Sequence, residues 1–100
     1  MEFEWDETKN AINMAKHKID FADALHVFLD EKRIEREDIR QDYQESRYQT
    51  IGTTKYGILF VIYTERDPKG TIRLISARKA NSREKKSYER GLMKPYSKVV

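Results

Sequence analysis

The sequence contains no cysteine and few residues that interrupt regular structure. Of its 100 residues none is cysteine, four are glycine and two are proline. The lack of cysteine excludes a disulfide framework, a thiolate nucleophile and thiolate metal sites. Because the glycines are few and unclustered, a glycine-rich phosphate loop and a dinucleotide-binding fingerprint are also excluded. The chemistry must therefore come from other side chains.

Long apolar segments are also missing. The longest uninterrupted apolar run covers residues 58–63, far below the roughly 18 residues of a membrane span. The chain opens with acidic and aromatic residues, the reverse of the basic and apolar start of a signal peptide. We therefore expect a cytoplasmic protein with no membrane contact. Its length predicts one domain, residues 1–93, followed by a C-terminal tail of residues 94–100.

Familiar catalytic and metal-binding arrangements are hard to build from this chain. The two histidines, His17 and His26, are a poor start for a zinc site. No serine lies in a nucleophile-elbow motif. We expect no metal and no cofactor, which leaves arginine, lysine and histidine as the reactive inventory.

The net charge of +3 conceals a gradient along the chain. Residues 1–50 carry 8 basic and 13 acidic side chains, whereas residues 51–100 carry 12 basic and 4 acidic ones. This asymmetry is typical of a polyanion-binding face in one part of a molecule. The competing interpretation is that charge only solubilises a domain whose core is thin, since leucine, isoleucine, valine and phenylalanine number 22.

The N-terminal pattern predicts two helices after a short strand at residues 3–5. Asp6 is placed to cap a first helix running to about Lys18, and Asp20 is placed to open a second one. The apolar stripe predicted for the first helix and its end consists of Ala11, Ile12, Ala15 and Ile19. The stripe of the second helix has helical spacing and consists of Phe21, Ala24, Leu25 and Phe28.

The middle of the chain predicts a β meander. Residues 30–45 are read as a loop followed by a weak edge strand, and residues 47–55 as a strand in which Gly52 marks a bulge or a close approach. Residues 58–63 predict a central strand with both faces covered. A turn at residues 66–70 leads to a partner strand at residues 71–77, with Glu65 expected opposite Thr71.

That register places Tyr63 opposite Arg73, so that Arg73 lies beside Tyr63 on the face away from Ile72 and Leu74.

Asn81 and Glu84 have the spacing of a capping box, which opens a basic helix ended by Gly91. The predicted fold class is α+β, with N-terminal helices and a C-terminal helix packed on an antiparallel meander sheet.

The inventory suits cleavage of RNA without a metal ion. In that reaction the 2′-hydroxyl of the RNA attacks the adjacent phosphorus. Lysine and arginine can stabilise the extra negative charge, and histidine can transfer protons. Aromatic rings can stack on the bases of single strands.

Several segments match one pattern in order. They are residues 3–9 (FEWDETK), Lys16-His17 followed by Ile19-Asp20-Phe21, residues 51–64 with Ile51-Gly52 and Val61-Ile62-Tyr63-Thr64, residues 72–80 (IRLISARKA), Arg83-Glu84 and Tyr88-Glu89. Together they resemble the BrnT family of type II toxin–antitoxin toxins, over roughly residues 2–90.

The resemblance implies a RelE-like ribonuclease fold and an endoribonuclease activity that blocks translation. It also implies a BrnA-like antitoxin partner, with which the toxin would form a hetero-oligomer. Operator DNA would then be bound only through the antitoxin.

The candidate site residues form two sets. The catalytic candidates are Arg66, Arg73 and Arg78 for the phosphate and the transition state, with Lys16 or His17 for proton transfer. The RNA-binding candidates are Lys18, Lys79, Arg83 and Lys86. Lys18 stands where the family usually has glycine, so the first helix is expected to end differently here.

Structural roles compete with several of these assignments. His17 at a helix end is suited to a capping role, and Arg73 in an apolar strand is suited to an ion pair with a carboxylate on the neighbouring strand. At the level of function, the alternatives are a non-catalytic nucleic-acid-binding module and a pure antitoxin-interaction protein.

Overall fold

A computed structural model of the chain describes residues 1–96. It contains five strands, three α-helices and one 3₁₀ turn. The strands are β1 (Phe3–Glu4), β2 (Ile34–Glu37), β3 (Arg47–Thr54), β4 (Gly57–Glu65) and β5 (Ile72–Lys79). The helices are α1 (Glu7–His17), α2 (Phe21–Ala24) and α3 (Ser82–Arg90), and the 3₁₀ turn covers Leu25–Leu29.

The strands form a single sheet in the order β1-β5-β4-β3-β2. Strands β2 to β5 are a consecutive antiparallel meander, and β1 pairs with β5 in parallel at one edge. The predicted α+β class with a meander sheet is confirmed, and the parallel β1 is an addition to it.

The central strand β4 has both of its faces covered, as the sequence predicts. Leu59, Val61 and Tyr63 belong to a core shared with α2 and the 3₁₀ turn. We call the side of the sheet that carries this core the helix face. Phe60 belongs to a smaller core on the opposite face, together with Ala80 and Met93 next to α3. We call this second side the open face, because α3 and the segment after it cover only part of it.

Helix α1 has the predicted bounds but not the predicted buried stripe. The Asp6 side chain accepts hydrogen bonds from the backbone N–H groups of Thr8 and Lys9, which caps the helix. Ile12, however, is 61% exposed. Ala11 and Ala15 are exposed as well, and of the predicted stripe only Ile19 is buried. The helix packs instead through Asn10 and Asn13.

The expectation that α1 ends differently because of Lys18 is wrong. Lys18 takes the left-handed conformation that glycine would adopt, with φ 62° and ψ 24°, and its N–H bonds to the carbonyl of Met14. Its ammonium group also donates to the carbonyl of Ala15 at 3.0 Å. Both hydrogen bonds satisfy free carbonyls of the last turn, and the ammonium bond, which only lysine can make, offsets part of the backbone cost of a lysine at positive φ.

The second predicted helix is a single α-helical turn that continues as the 3₁₀ turn. Phe21 and Ala24 are fully buried, so the predicted inward face is correct there. Val27 in the 3₁₀ turn packs directly on β3 at Gly52, where an added Cβ would lie 2.8 Å from Val27 Cγ1. The close approach predicted at Gly52 is confirmed.

The β4–β5 register differs from the predicted one. Glu65 pairs with Ile72, Thr64 with Arg73 and Tyr63 with Leu74, a shift of one residue. Between Tyr63 and Ile62 the register shifts again, because Ile75 is an extra residue in β5. The placement of Arg73 beside Tyr63 was therefore wrong, since Arg73 lies opposite Thr64.

Helix α3 begins as predicted, with a complete capping box between Asn81 and Glu84, and it ends at Gly91. After it, Met93 is buried in the core of the open face. Within the segment predicted as a tail, the Tyr96 hydroxyl contacts Gln49 and Arg36. Residues 97–100 lie outside the described residues.

Candidate functional site

The extra residue in β5 places two candidate arginines on the same face of the sheet. Arg73 and Arg78 are five positions apart, and side chains alternate along a regular strand, so without a bulge they would lie on opposite faces. With Ile75 inserted, Arg73 pairs with Thr64 and Arg78 with Phe60. Thr64 and Phe60 lie on the same side of β4, so both arginines are on the open face.

Arg73 lies at one end of this face, with Arg66 and a shared carboxylate. Glu4 is its register partner on β1. The Glu4 carboxylate lies 3.7 Å from the Arg73 guanidinium and 3.3 Å from that of Arg66. The ion pair considered for Arg73 is therefore present. Two arginines share one carboxylate, which leaves net positive charge at this end.

Arg78 lies at the other end of the face, where its guanidinium is held in a fixed position. It donates two hydrogen bonds to Glu84, at 2.7 and 2.9 Å, and lies 4.2 Å over the Phe60 ring. Burial alone would raise the pKa of Glu84, but the hydrogen bonds from Arg78 and from the Asn81 backbone lower it. Glu84 is therefore a stable anion, and its negative charge is matched by Arg78.

Lys16 and His17 lie where the last turn of α1 meets the edge of β5. Strand β1 pairs with β5 only at Ile72 and Arg73, and further along that edge the Asn13 side chain bonds to both the N–H and the carbonyl of Ala77, at 3.1 and 2.8 Å. A shallow cleft of about 200 Å³ opens beside this contact. It is lined by Lys9, Ile12, Asn13, Lys16, His17, Ile75 and Ser76.

The protonation state of His17 is set by this position. Burial lowers the pKa of His17, and the positive charges of Lys16 and Arg78 lower it further. The helix dipole acts in the opposite direction, because it favours the imidazolium. The neutral imidazole is therefore favoured at neutral pH, which suits a proton acceptor better than a cationic cap.

The five catalytic candidates thus form two groups. Lys16 and His17 lie with Ser76 in the lining of the small cleft, and the positive charge of Arg78 contributes to the lowered pKa of His17. Arg66 and Arg73 come together at Glu4. The rise of a strand places Arg73 and Arg78 roughly 15 Å apart along β5, so the two groups are separate.

The RNA-binding candidates are placed less uniformly. Lys79, Arg83 and Lys86 are exposed at the end of β5 and on α3. Arg83 and Lys86 line a larger cleft of about 670 Å³ between α3 and the segment that follows it. Lys18 is exposed too, although its ammonium group is engaged by Ala15 of its own helix.

Sequence reasoning missed two arginines on the open face. Arg47 on β3 pairs with Thr64, so that Arg47, Thr64, Arg73 and Glu4 form one row across four strands. Arg36 on β2 lines the larger cleft. A charge within an otherwise β-like segment was a usable signal for Arg47, as it was for Arg73. Arg36 carried no such signal, because its whole neighbourhood is charged.

Two further features bear on the chemistry. Within residues 1–96, no three side chains of the types His, Asp and Glu cluster closely enough to hold a metal ion. The helices in that part of the chain are all too short and polar to cross a bilayer. The candidate groups on the open face and at the edge of β5 are arginines, a lysine and a histidine, which are suited to binding phosphate and transferring protons.

Comparison with known proteins identifies the family of this chain. A family model described as the ribonuclease toxin BrnT of type II toxin–antitoxin systems matches residues 5–84. A search of curated proteins finds no match. The matched segment includes the five catalytic candidates and runs to Glu84, the partner of Arg78. The chain belongs to the BrnT family of ribonuclease toxins of type II toxin–antitoxin systems.

Proposed function

We propose that this protein cleaves single-stranded RNA without a metal ion, through attack of the RNA 2′-hydroxyl on the neighbouring phosphorus. The observation that carries the proposal is the bulge at Ile75, which brings Arg73 and Arg78 to one face and leaves the edge of β5 next to Lys16 and His17. A phosphate at Ser76 would have a cation on each side.

In the proposed reaction, the scissile phosphate lies near Ser76, within reach of Arg78 and Lys16. Neutral His17 accepts the proton of the 2′-hydroxyl while the 2′-oxygen bonds to phosphorus. The bond from phosphorus to the 5′-oxygen breaks, and the leaving oxygen takes a proton from Lys16 or from water. The products are a 2′,3′-cyclic phosphate and a 5′-hydroxyl.

Arg78 and Lys16 stabilise the dianionic phosphorane that forms on the way. Such positioned donors are worth roughly 10²–10³ in rate each. Arg66 and Arg73 hold another phosphate of the same RNA, since they lie further along β5. Phosphate would compete with Glu4 and Glu84 for these arginines, and all three ion pairs are at least partly exposed.

The biological setting follows from the family. A type II toxin has a protein antitoxin, and we propose that this one is BrnA-like and that operator DNA is bound only through it. RNA cleavage in the cytoplasm would then inhibit translation until the antitoxin rebinds.

The direct test is cleavage of a defined RNA by purified protein in excess EDTA. We expect fragments with 2′,3′-cyclic phosphate and 5′-hydroxyl ends. Arg78→Ala should lower the rate roughly 10²–10³-fold, and Lys55→Gln should leave it unchanged because Lys55 lies in the exposed β3–β4 turn. Intact RNA with the wild-type protein, both free and on ribosomes, would reject the proposal.

The pH profile tests the role of His17. If neutral His17 is the base, the cleavage rate falls as pH drops through its lowered pKa, because protonation removes the acceptor. His17→Gln should lower the rate roughly 10²–10⁴-fold and abolish that acidic limb. A retained limb in His17→Gln would assign proton acceptance to another group.

A further inference from the structure

The cleft of about 670 Å³ next to α3 is distinct from the edge of β5 where cleavage is proposed. It lies between α3, the segment after Gly91 and strand β2. Its lining carries five cationic side chains and one carboxylate. These are Arg36, Arg83, Lys86, Arg90, Lys94 and Glu84.

The carboxylate does not neutralise the cleft. Glu84 is hydrogen-bonded to Arg78, which lies outside the cleft lining, and its negative charge also interacts with Arg36. Even when Glu84 is counted in full, five cations against one carboxylate leave the lining with a net charge of +4, which favours the binding of an anion.

Arg36 is the most fixed of the five cations. Its guanidinium donates to the Gln49 side chain at 2.8 Å, to the Lys94 carbonyl at 2.9 Å and to the Tyr96 hydroxyl at 2.9 Å. It also stacks on the Tyr96 ring, 3.9 Å from the ring centroid. All of these partners are neutral, and within residues 1–96 no carboxylate pairs with Arg36. A half-buried, immobilised and unpaired arginine is preorganised for an anion.

Part of the cleft lining is apolar. Ile51 and Met93 are buried at its base, and Leu92 is 62% exposed at its rim. A binding site for inorganic anions needs no apolar surface, whereas a nucleotide presents a phosphate and a flat base together. The mixture of a fixed arginine, exposed cations and apolar lining residues therefore fits a polynucleotide better than a free anion.

We infer that this cleft binds the phosphates and one base of the RNA strand a few nucleotides from the scissile bond. The inference rests on the proposed RNA substrate and extends it to a second subsite. Arg36 on β2 lies three strand spacings from Arg78 on β5, about 14 Å. An RNA must therefore be longer than a dinucleotide to occupy both places.

Equilibrium binding to uncleavable 2′-O-methyl RNA tests the inference separately from catalysis. The probes are a dinucleotide and an oligomer of about ten nucleotides, which is within the site sizes of single-strand-binding proteins. Lys86→Gln and Arg90→Gln remove exposed cleft cations, and Lys85→Gln is the matched control on α3, because Lys85 is equally exposed but outside the cleft.

We expect Lys86→Gln and Arg90→Gln together to weaken binding of the long oligomer roughly tenfold. Each should also reduce the dependence of log affinity on log salt by about 0.7, the contribution of one phosphate contact on a single strand. Dinucleotide binding should not change, and Lys85→Gln should have little effect on either probe.

Arg36→Gln should weaken binding of the long oligomer more than Lys86→Gln or Arg90→Gln does. Arg36→Lys should keep only part of the wild-type affinity, because lysine cannot keep the three fixed hydrogen bonds. Circular dichroism of both variants shows whether the fold is kept. If Arg36→Gln does not fold, the two exposed α3 variants decide the inference.

Three results would overturn the subsite. One is an equal effect of Lys86→Gln and Lys85→Gln, and another is equal weakening of the dinucleotide. The third is loss of antitoxin binding in the cleft variants with RNA binding intact, which would assign the cleft to the protein partner. Wild-type protein that binds the oligomer through the cleft but never cleaves RNA would reject the proposed function and leave the subsite standing.

Discussion

Asn13 has an outsized structural role for a polar residue in the middle of a helix. Its amide forms a two-bond pairing with the backbone of Ala77 and a third bond to the Ile19 carbonyl at 2.9 Å. The side chain thereby takes the place of a neighbouring strand on β5. It also fixes the C-terminal end of α1, which carries Lys16 and His17, against the edge of the sheet.

This position makes a prediction that runs against the hydrophobic pattern. Asn13→Ala leaves three buried backbone groups without partners, so we expect it to lower the free energy of unfolding by about 2–4 kcal/mol. Ile12→Ala should cost less than about 1 kcal/mol, because Ile12 is 61% exposed. Urea denaturation of both variants is the measurement. A larger loss for Ile12→Ala would mean that α1 packs by its apolar stripe after all.

Asp38 supplies a pH-dependent contribution to stability. It is 3% exposed, and the Arg40 guanidinium hydrogen-bonded to it lowers the pKa of Asp38 to about 2. The folded pKa is below the unfolded one, so the stabilisation is complete above about pH 4 and disappears as pH falls towards 2. At neutral pH it amounts to about 2 kcal/mol.

We therefore expect Asp38→Asn to destabilise the protein by about 2 kcal/mol at pH 7. The difference in free energy of unfolding between the variant and the wild type should narrow below pH 4. Denaturant melts at several pH values measure it. Asp42→Asn, an exposed change in the same loop, is the control and should show no such narrowing. A gap that stays constant down to pH 3 would contradict the assignment.

At the scale of elements, caps and buried strands could be predicted because their signals are local. Asp6, Asp20 and Asn81 all cap helices as their positions indicated. The buried face of α1 could not be predicted, because asparagine is a polar residue that a hydrophobic pattern does not mark as buried. Its burial depends on one distant backbone segment. The bulge at Ile75 was equally hidden, since no residue in β5 marks it and only the pairing with β4 and α1 requires it.

The residue at the C-terminal end of α1 provides a prediction about the stability of the protein. Lys18 occupies a left-handed position, which costs a non-glycine residue roughly 1–2 kcal/mol. Lys18→Gly should therefore stabilise the protein by up to about 1 kcal/mol, after allowance for the lost ammonium contact to Ala15. Thermal unfolding checks it. Lys9→Gly, an exposed change inside the same helix, should instead destabilise by about 1 kcal/mol, and stabilisation by both changes would contradict the account.

At the scale of the whole molecule, the charge gradient of the sequence becomes a difference between surfaces. The basic second half supplies β4, β5 and α3, whose arginines and lysines lie on the open face and around the cleft beside α3. The sequence indicated the sign of this surface and most of its cations. The grouping of those cations into an Arg66–Arg73 pair, an Arg78 centre and a cleft around Arg36 required the register of all five strands.

The same scale explains why the antitoxin should matter for stability as well as activity. The two cores are small, and α3 has no buried residue, so the isolated domain has a limited margin of stability. A partner that binds only the folded state adds about 2.7 kcal/mol at one hundred times its dissociation constant. In a domain of this size, that corresponds to a rise in Tm of roughly 10–20 °C.

We therefore expect the Tm of the purified toxin to increase steadily with antitoxin concentration, and the same amount of an unrelated protein to leave it unchanged. Differential scanning fluorimetry over a range of antitoxin concentrations is the measurement. Because the increase arises from mass action, it must continue logarithmically after the toxin is saturated. A Tm that stops rising at one equivalent would instead indicate that the complex unfolds by a different, kinetically controlled route.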